Sequence, residues 1–388
     1  MTRQVTRQLL PADDMARLIA LRRKLHMAPD LSGQETATAA QLLEFLHLTK
    51  PARVVPGLGG TGLALVYDSG RAGPRVMFRA ELDALPIVEQ TGLDHASRVT
   101  GAAHLCGHDG HMAILAGLGL WIARNPPGSG QVVLLFQPAE ETGAGARAVL
   151  ADPQFDALRP DWAFALHNMP GLGLGHVAVA PGPASCASVG LRVRLTGREA
   201  HAAQPETGRS PAPVLAAIMD LLAPYMTPGP MGPHFGLATL CHMSLGQPAF
   251  GIAPASAEAW ITLRGYDDAV LADLEARLCA GIAAAATGVR CDITRHDAFH
   301  ASVNDPAAAE IVQAVQARLD LPTARFTFPM RPSEDFGAFS QVTRMALVFL
   351  GAGEAQPALH DPAYDFPDPL IAPGIALFAG ITEQLLGV

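Results

Sequence analysis

The chain alternates between two spacings of apolar residues, and the alternation predicts helices and strands in turn. Apolar positions recur at helical spacing from about residue 12 to 26 and from about 36 to 47. Short, nearly continuous apolar runs are typical of buried strands, and they occur in TGLALVYD, RVMFRAELDALP, QVVLLFQP and DWAFALHN. The segments MAILAGLGLWIA and GAGARAVLAD separate the later runs and predict helices. This order predicts an α/β domain with a mostly parallel sheet covered on both faces.

The pattern changes near residue 186. From there to about residue 298 it reads β-α-β-β-α-β, which is the order of a ferredoxin-like α+β domain. After HASVND the chain returns to a helix, the strand MALVFLGAG and a closing helix. We therefore expect a first domain built from residues 1–185 and 299–388, interrupted by a second domain of residues 186–298.

Composition limits the function classes. A length of 388 residues favours two domains, and a net charge of −9 without a Lys/Arg cluster excludes a nucleic-acid partner. The longest apolar runs are too short to span a bilayer, so no membrane role is expected. The first residues lack the pattern of a secretory signal, and the five cysteines are odd in number and scattered. Both features favour a cytoplasmic protein without a disulfide framework.

Polar side chains follow several of the predicted strands. In open α/β sheets, the loops at the carboxyl ends of the strands converge on one crevice, where ligands bind. The residues expected there are Glu81, Asp83, Glu140, Glu141, His167 and His360.

The stretch HLCGHDGH adds a cysteine and histidines to these candidates. Gly107 separates Cys106 from His108, and its lack of a side chain would let the thiolate and the imidazole converge on one or two cations. Such a pair alone is more often an ordinary polar loop, since two ligands do not complete a metal site.

The adjacent carboxylates Glu140 and Glu141 strengthen the case for a metal. Neighbouring carboxylates repel each other unless a cation or a proton neutralises them. One could bind a metal while the other removes a proton from water as a general base. A solvated loop or a helix N-terminus is the ordinary alternative for such a pair.

A cysteine nucleophile is the competing enzymatic interpretation. Cys106 with a histidine base could transfer an acyl group through a thioester. That mechanism has no use for Glu140, Glu141, His167 and His360 together. The number of candidate ligands therefore favours a metal site.

Seven motifs in one order resemble the M20 metallopeptidases, and in particular their aminoacylase, hippurate hydrolase and auxin-conjugate amidohydrolase branch. They are FRAELDALPI, HLCGHDGHMAILAG, LLFQPAEETGAGA, ALHNMPGLGLG, GREAHAAQP, PSEDFGAF and LHDPAYDFPD. The resemblance covers nearly the whole chain, from LRRKLHMAPDLSGQE to the closing helix.

The resemblance implies a role for each matching residue. It implies two divalent ions, Zn or Mn with Co or Ni as alternatives, and a cysteine thiolate able to bridge them. It implies Glu140 as general base, Asp83 as support for the metal ligands, and His201 as a stabiliser of the oxyanion, often in the partner subunit's active site. The implied metal ligands are Cys106, His108, Glu141, His167 and His360.

The resemblance also implies an architecture and a substrate class. The inserted domain would be a lid and dimerisation domain, giving a homodimer or a higher oligomer. The implied activity is hydrolysis of the amide bond of N-acyl amino acids or related N-acyl amines. A dipeptidase or carbamoyl-type amidase on the same scaffold is the alternative, whereas a non-enzymatic metal-binding module would need a missing base or ligand.

The chain departs from the family pattern in the inserted domain. Gly251 stands where the family commonly has an asparagine, while Arg264 retains an arginine that, with the asparagine, helps recognise substrate. Loss of the amide at Gly251 removes hydrogen-bonding groups that a buried ligand would use. We therefore expect the amino-acid half of the substrate to differ from a plain α-amino acid. Glu81, in ELD, replaces an aspartate conservatively.

Overall fold

The computed structural model describes residues 9–388, which form two compact units. The larger unit contains the chain up to Ala184 together with Val303–Phe326 and Asp335–Val388. The smaller unit contains Ser185–Ser302 and Thr327–Glu334. The predicted boundaries differ from this division, because Ser185 and residues 299–302 and 327–334 group with the smaller unit.

The secondary structure follows the apolar pattern. The α-helices in residues 9–388 are α1 Ala12–Met27, α2 Thr36–Leu46, α3 His108–Ile122, α4 Gly145–Ala151, α5 Ala212–Leu222, α6 Asp268–Ala285, α7 Pro306–Arg318 and α8 Ile371–Leu386. The strands in the same part of the chain are β1 Arg53–Leu58, β2 Gly62–Asp68, β3 Arg75–Glu81, β4 Gln131–Gln137, β5 Trp162–Pro170, β6 Val177–Ala178, β7 Gly182–Ser185, β8 Ala187–Thr196, β9 Ala200–His201, β10 Gly236–Leu245, β11 Ile252–Ala253, β12 Ser256–Gly265, β13 Arg290–Phe299, β14 Ser302–Asn304 and β15 Arg344–Gly353.

The larger unit is built on a mixed sheet with the strand order β1-β2-β4-β3-β5-β15-β6. The central strands β4, β3, β5 and β15 are parallel, whereas β2 and β6 pair antiparallel with their neighbours. The prediction of an α/β fold with a mostly parallel sheet is confirmed. Because the four central strands run the same way, their carboxyl ends lie at one edge of the sheet.

Two helices of the larger unit are apolar because they are core elements. Every residue of α3 is buried, and it packs against α1, α8 and the sheet. The segment Asp368–Leu386 is, within residues 9–388, the one helix long and apolar enough to cross a membrane, but 61% of its most apolar part is buried in the protein. A core helix passes the same length and composition test.

The smaller unit has an antiparallel sheet with the order β10-β12-β8-β13. Alternate residues of β8 and β12 are buried against α5 and α6, which accounts for the period of two in their sequences. The element order and the strand order are those of a ferredoxin-like domain, as predicted.

Candidate active site

The parallel strands bring the predicted polar residues to one edge of the sheet. His167 lies within β5, Asp83 comes two residues after β3, and Glu140 and Glu141 follow β4. His108 is the first residue of α3, and Cys106 precedes it in the turn. All six of these side chains belong to the larger unit.

Two groups of ligand atoms overlap at Cys106. The donor atoms of Cys106, His108 and His167 lie within 4.8 Å of one another, and so do those of Cys106, Glu141 and His360. The five residues predicted as metal ligands therefore converge, and the thiol belongs to both groups. This arrangement suits a pair of cations that share one ligand.

The two buried histidines each direct one nitrogen into the site. Nδ1 of His108 donates to the backbone carbonyl of Asp83 (2.8 Å), and Nδ1 of His167 donates to the carbonyl of Asn168 (2.8 Å). Nε2 of His167 then lies 3.5 Å from Sγ of Cys106. Nε2 of His108 is buried and has no hydrogen-bond partner among residues 9–388. A hydrogen bond at Nδ1 fixes the tautomer in which Nε2 can bind a metal.

The spacing of the donor atoms fits ligands around a cation. Nε2 of His108 lies 3.9 Å from Oε1 of Glu141, and Nε2 of His360 lies 3.7 Å from Oε2 of the same carboxylate. Metal–ligand bonds of about 2.0–2.3 Å in a tetrahedron place the ligand atoms roughly 3.3–3.8 Å apart. These separations are too long for direct hydrogen bonds, and they lie close to the spacing of two ligands on one cation.

The electrostatics of the site also fit a cation. Burial disfavours the charged form of His108, yet the carboxylates of Glu81, Glu141 and Asp83 outweigh burial and raise its pKa to about 9. Burial and the neighbouring His111 lower the pKa of His167 to about 3. The site thus has an excess of carboxylate charge on one side and a neutral imidazole on the other. The donor set and the buried Nε2 of His108 both fit bound divalent metal.

Comparison with known proteins identifies the family. The model of peptidase family M20/M25/M40 matches residues 77–384. The chain belongs to this family.

Relatives of this M20 chain cleave amide bonds according to their names. N-acetyl-L-cysteine deacetylase of Bacillus subtilis (strain 168) is 30% identical over 363 residues, which are 91% of this chain and 84% of that protein. Hippurate hydrolase of Campylobacter jejuni is 28% identical over 375 residues, which are 94% of this chain and 96% of that protein. The chain is accordingly a hydrolase that acts on amide bonds.

A solved structure supports the metal interpretation of the family. A dinuclear metal-binding peptidase of the M20 family from Bacillus subtilis has a TM-score of 0.80 and 25% sequence identity, over 97% of this chain and 99% of that chain. The predicted resemblance to the M20 metallopeptidases is confirmed.

Several supporting residues of the M20 site act through hydrogen bonds. Asp83 is buried, and its Oδ2 accepts from the hydroxyl of Ser32 (2.7 Å) and the backbone N–H of Glu141 (2.9 Å). The carboxylate thereby fixes the loop that carries Glu141, while its backbone carbonyl orients His108. The role of Asp83 as support for metal ligands stays a prediction.

The remaining histidines of HLCGHDGH lie outside the two ligand groups that share Cys106. Nδ1 of His111 donates to Glu81 (2.7 Å), and Nε2 of His111 accepts from the backbone N–H of Asn168 (3.0 Å). His104 is buried, its ring nitrogens have no hydrogen-bond partner in the described part of the chain, and burial lowers its pKa to about 3. His111 therefore orders the site, and His104 packs as a neutral ring.

Asn168 was not predicted from the sequence, and it connects several parts of the site. Its Nδ2 donates to the carbonyl of Cys106 (2.7 Å), and its Oδ1 accepts from the hydroxyl of Tyr364. Asn168 directly follows His167 in the sequence, but no sequence pattern indicates its hydrogen bond to Tyr364, which lies 196 residues away.

A buried ionic network, of which only Glu81 was expected at the site, holds the loop around Glu140. Arg79 donates to Glu81 and to Oδ1 of Asp335 (2.7 Å), and Gln137 donates to the same oxygen (2.8 Å). The backbone N–H of Asp335 donates to Oε1 of Glu140 (3.4 Å). The motif PSEDFGAF, which contains Asp335, was the only signal of this contact in the sequence.

Glu35 fixes the other side of this loop. It is buried, and its Oε1 accepts from the backbone N–H groups of Gly33 (2.8 Å) and Ala139 (2.8 Å). Ala139 has φ = 49°, a left-handed conformation that is uncommon for alanine. The carboxylate of Glu35 thus stabilises a strained turn directly before Glu140.

The predicted substrate-binding residues belong to the smaller unit. His201 ends β9 and pairs with Ile252 of β11, and the N–H of Ala202 donates to the carbonyl of Gly251 (3.0 Å). His201 and Gly251 are therefore neighbours, and both are exposed. Arg264 lies on β12, where its Nη1 donates to Oγ of Ser333 (2.9 Å), and burial lowers its pKa.

Proposed function

We propose that this M20 hydrolase cleaves the amide bond of N-acyl amino acids or related N-acyl amines, using divalent metal ions and Glu140 as general base. The proposal rests on the convergence of five metal-binding side chains in two overlapping groups, with Glu140 beside them. The names of the relatives favour an acyl group on an amino acid as the substrate. A cysteine nucleophile would leave Glu141, His167 and His360 without a role.

Five residues would hold the metal ions. They are Cys106, His108, Glu141, His167 and His360, with Cys106 shared between the two groups. When bound, two divalent cations polarise the substrate carbonyl and make water a stronger acid. One thiol and three imidazoles suit Zn²⁺, while the carboxylate and the hydrolytic chemistry also suit Mn²⁺.

In this proposal Glu140 moves the proton. Its Oε2 lies 4.0 Å from Nε2 of His108, and its Oε1 is held by the N–H of Asp335. The carboxylate is largely buried, which strengthens its interactions with nearby charges. It takes a proton from the attacking water as the new C–O bond forms. It then delivers that proton to the amine nitrogen as the C–N bond breaks.

The smaller unit would supply substrate recognition. We assign His201 to the oxyanion and Arg264 to the polar end of the substrate, on the basis of the family resemblance. Gly251 leaves open space where the family has an amide side chain, since a Cβ there would have no atom within 4 Å. We also propose a homodimer formed through the smaller unit.

Glu140→Gln tests the proposed base directly. The variant is expected to fold and keep its metal but to lose about 10²–10⁴-fold in kcat, the usual contribution of general acid–base catalysis. The assay uses N-acetyl and N-benzoyl amino acids with added Mn²⁺ or Zn²⁺, and metal content is measured on the same samples. Glu354→Gln, at an exposed position, is the matched control. Full activity of Glu140→Gln would overturn the assignment, and faster cleavage of dipeptides or N-carbamoyl amino acids would overturn the substrate class.

A further inference from the structure

A single buried guanidinium joins three carboxylates outside the ligand groups. Arg22 lies on α1 and is 1% exposed. Its Nη1 donates to Asp365 (2.6 Å) and to Asp109 (3.3 Å), and its Nε donates to Asp368 (2.9 Å). Its Nη2 lies 3.2 Å from Nε2 of His95. A planar guanidinium can satisfy several acceptors at once in a fixed geometry.

These carboxylates belong to two chain segments that carry metal-ligand candidates. Asp109 directly follows His108 in the first turn of α3. Asp365 and Asp368 lie a few residues after His360. Arg22 therefore bridges the turn that bears His108 to the segment that bears His360.

The two segments differ in how firmly they are held without Arg22. The side chain of His108 is fully buried and is fixed by the carbonyl of Asp83, and Asp109 also bonds Nδ1 of His26 (2.9 Å). The side chain of His360 is 50% exposed, and its φ of 68° is unfavourable for a residue other than glycine. Its backbone N–H donates to the carbonyl of Leu105 (2.8 Å). Loss of Arg22 should therefore affect His360 more than His108.

Apolar contacts hold the same segment from its other side. The ring of Phe366 lies so close to Gly110 that a Cβ at Gly110 would overlap it, and the hydroxyl of Tyr364 donates to Asn168. These contacts fix the aromatic residues of the segment. Arg22 adds the ionic contacts that fix its two carboxylates.

We propose that Arg22 is a positioning residue that holds residues 360–368 against the turn of Cys106 and His108, and thereby sets the geometry of the Cys106–Glu141–His360 ligand group. The inference rests on the proposed metal-dependent function. We expect the Cys106–Glu141–His360 group to depend more strongly on Arg22. The Cys106–His108–His167 group depends on it less, because its histidines have their own hydrogen bonds.

Arg22→Lys tests this inference, with Arg23→Lys as the matched control. Arg23 is the adjacent residue, its side chain is 48% exposed, and it also bonds Asp368 (2.7 Å). Lysine keeps the charge but cannot reproduce the bridging geometry. Titration of the metal-free protein with Zn²⁺ should show one binding step unchanged and one weakened by about 10–100-fold in Arg22→Lys, the usual effect of removing support for a ligand. Arg23→Lys should titrate like the parent protein.

Hydrogen exchange of the metal-free protein gives a second readout. Arg22→Lys should speed amide exchange in residues 360–368 at least several-fold, whereas Arg23→Lys should not. If Arg22→Lys does not fold, Asp365→Asn weakens one of the two carboxylate links from Arg22 to the His360 segment and leaves Asp109 and Asp368 paired with Arg22. Asp365→Asn should also speed amide exchange in residues 360–368 and weaken the same Zn²⁺-binding step that Arg22→Lys weakens.

The outcomes separate this inference from the proposed function. Equal weakening of both binding steps, or unchanged exchange in residues 360–368, would overturn the role of Arg22. A parent protein that binds no metal would overturn the proposed function, and the exchange comparison would still decide whether Arg22 holds the segment.

Discussion

Gly107 shows how one residue makes the ligand turn feasible. Its φ of 89° lies in the left-handed region, and a Cβ there would overlap Nδ2 of Asn168 and lie 2.9 Å from its Cγ. The side-chain amide of Asn168 occupies this space and donates a hydrogen bond to the backbone carbonyl of Cys106. A side chain at residue 107 would therefore disturb both the backbone and the supporting amide.

Gly107→Ala is expected to lower the free energy of unfolding by about 2–5 kcal/mol, combining backbone strain with displacement of a buried hydrogen-bonding group. Urea unfolding measures the loss. Gly101→Ala is the matched control, because Gly101 has φ = 79° but a Cβ there would meet no atom within 4 Å. It should cost only the strain, about 1–2 kcal/mol. Equal losses in the two variants would contradict the role of the Asn168 contact.

At the residue scale, the sequence indicates which residues carry metal-binding groups better than it indicates which residues support them through hydrogen bonds. Cys106, His108 and His167 could be selected because they adjoin apolar runs and carry metal-binding groups. Asn168 and Asp335 could not, since their roles depend on hydrogen bonds to residues far away in sequence, such as Tyr364 and Arg79. Only folding brings those partners together.

Helices α1 and α3 are joined by a buried ion pair. Nδ1 of His26 lies 2.9 Å from Oδ2 of Asp109, and both side chains are fully buried. Burial acts to lower the pKa of His26, but the carboxylates of Asp109 and Glu89 outweigh it and raise the pKa to about 10. The folded protein therefore holds the imidazolium far more strongly than the unfolded chain does.

This pair predicts a pH dependence of stability. Its contribution is complete below the ordinary histidine pKa of 6.5 and is lost as the pH rises toward about 10. His26→Gln should cost roughly 3–5 kcal/mol at about pH 6, the usual effect of breaking a buried pair, and progressively less toward about pH 10. Urea unfolding of metal-free protein at several pH values measures the difference.

His234→Gln, at an exposed turn of the smaller unit, is the control for the pH series. It should differ little from the parent protein at every pH. A difference between His26→Gln and the parent that stays constant from about pH 6 to about pH 10 would show that the pair does not hold the proton.

At the element scale, the apolar pattern predicts where helices and strands occur better than it predicts which strands pair and in which direction. Helix α6 and strands β4 and β15 occur where the apolar runs place them. The antiparallel pairing of β2 with β4 could not be read from its sequence, because a strand buried on both faces shows the same apolar run in either direction.

At the scale of the whole molecule, the protein consists of two units, and each unit is built from more than one segment of the chain. The β-α-β-β-α-β order identified the smaller unit, because each of its elements is long and regularly spaced. Residues 327–334 also group with that unit, although they lie 25 residues or more beyond Ser302. They contain no helix or strand, so no apolar periodicity marked them.

Metal content measured together with turnover tests the central claim most directly. Protein stripped by exhaustive chelation should lose its activity on N-acyl amino acids and regain it with added Zn²⁺ or Mn²⁺. Turnover should follow the loading of two ions per chain, because two overlapping ligand groups share Cys106. Full turnover in protein shown by elemental analysis to contain no metal would contradict this account and would favour a cysteine nucleophile instead.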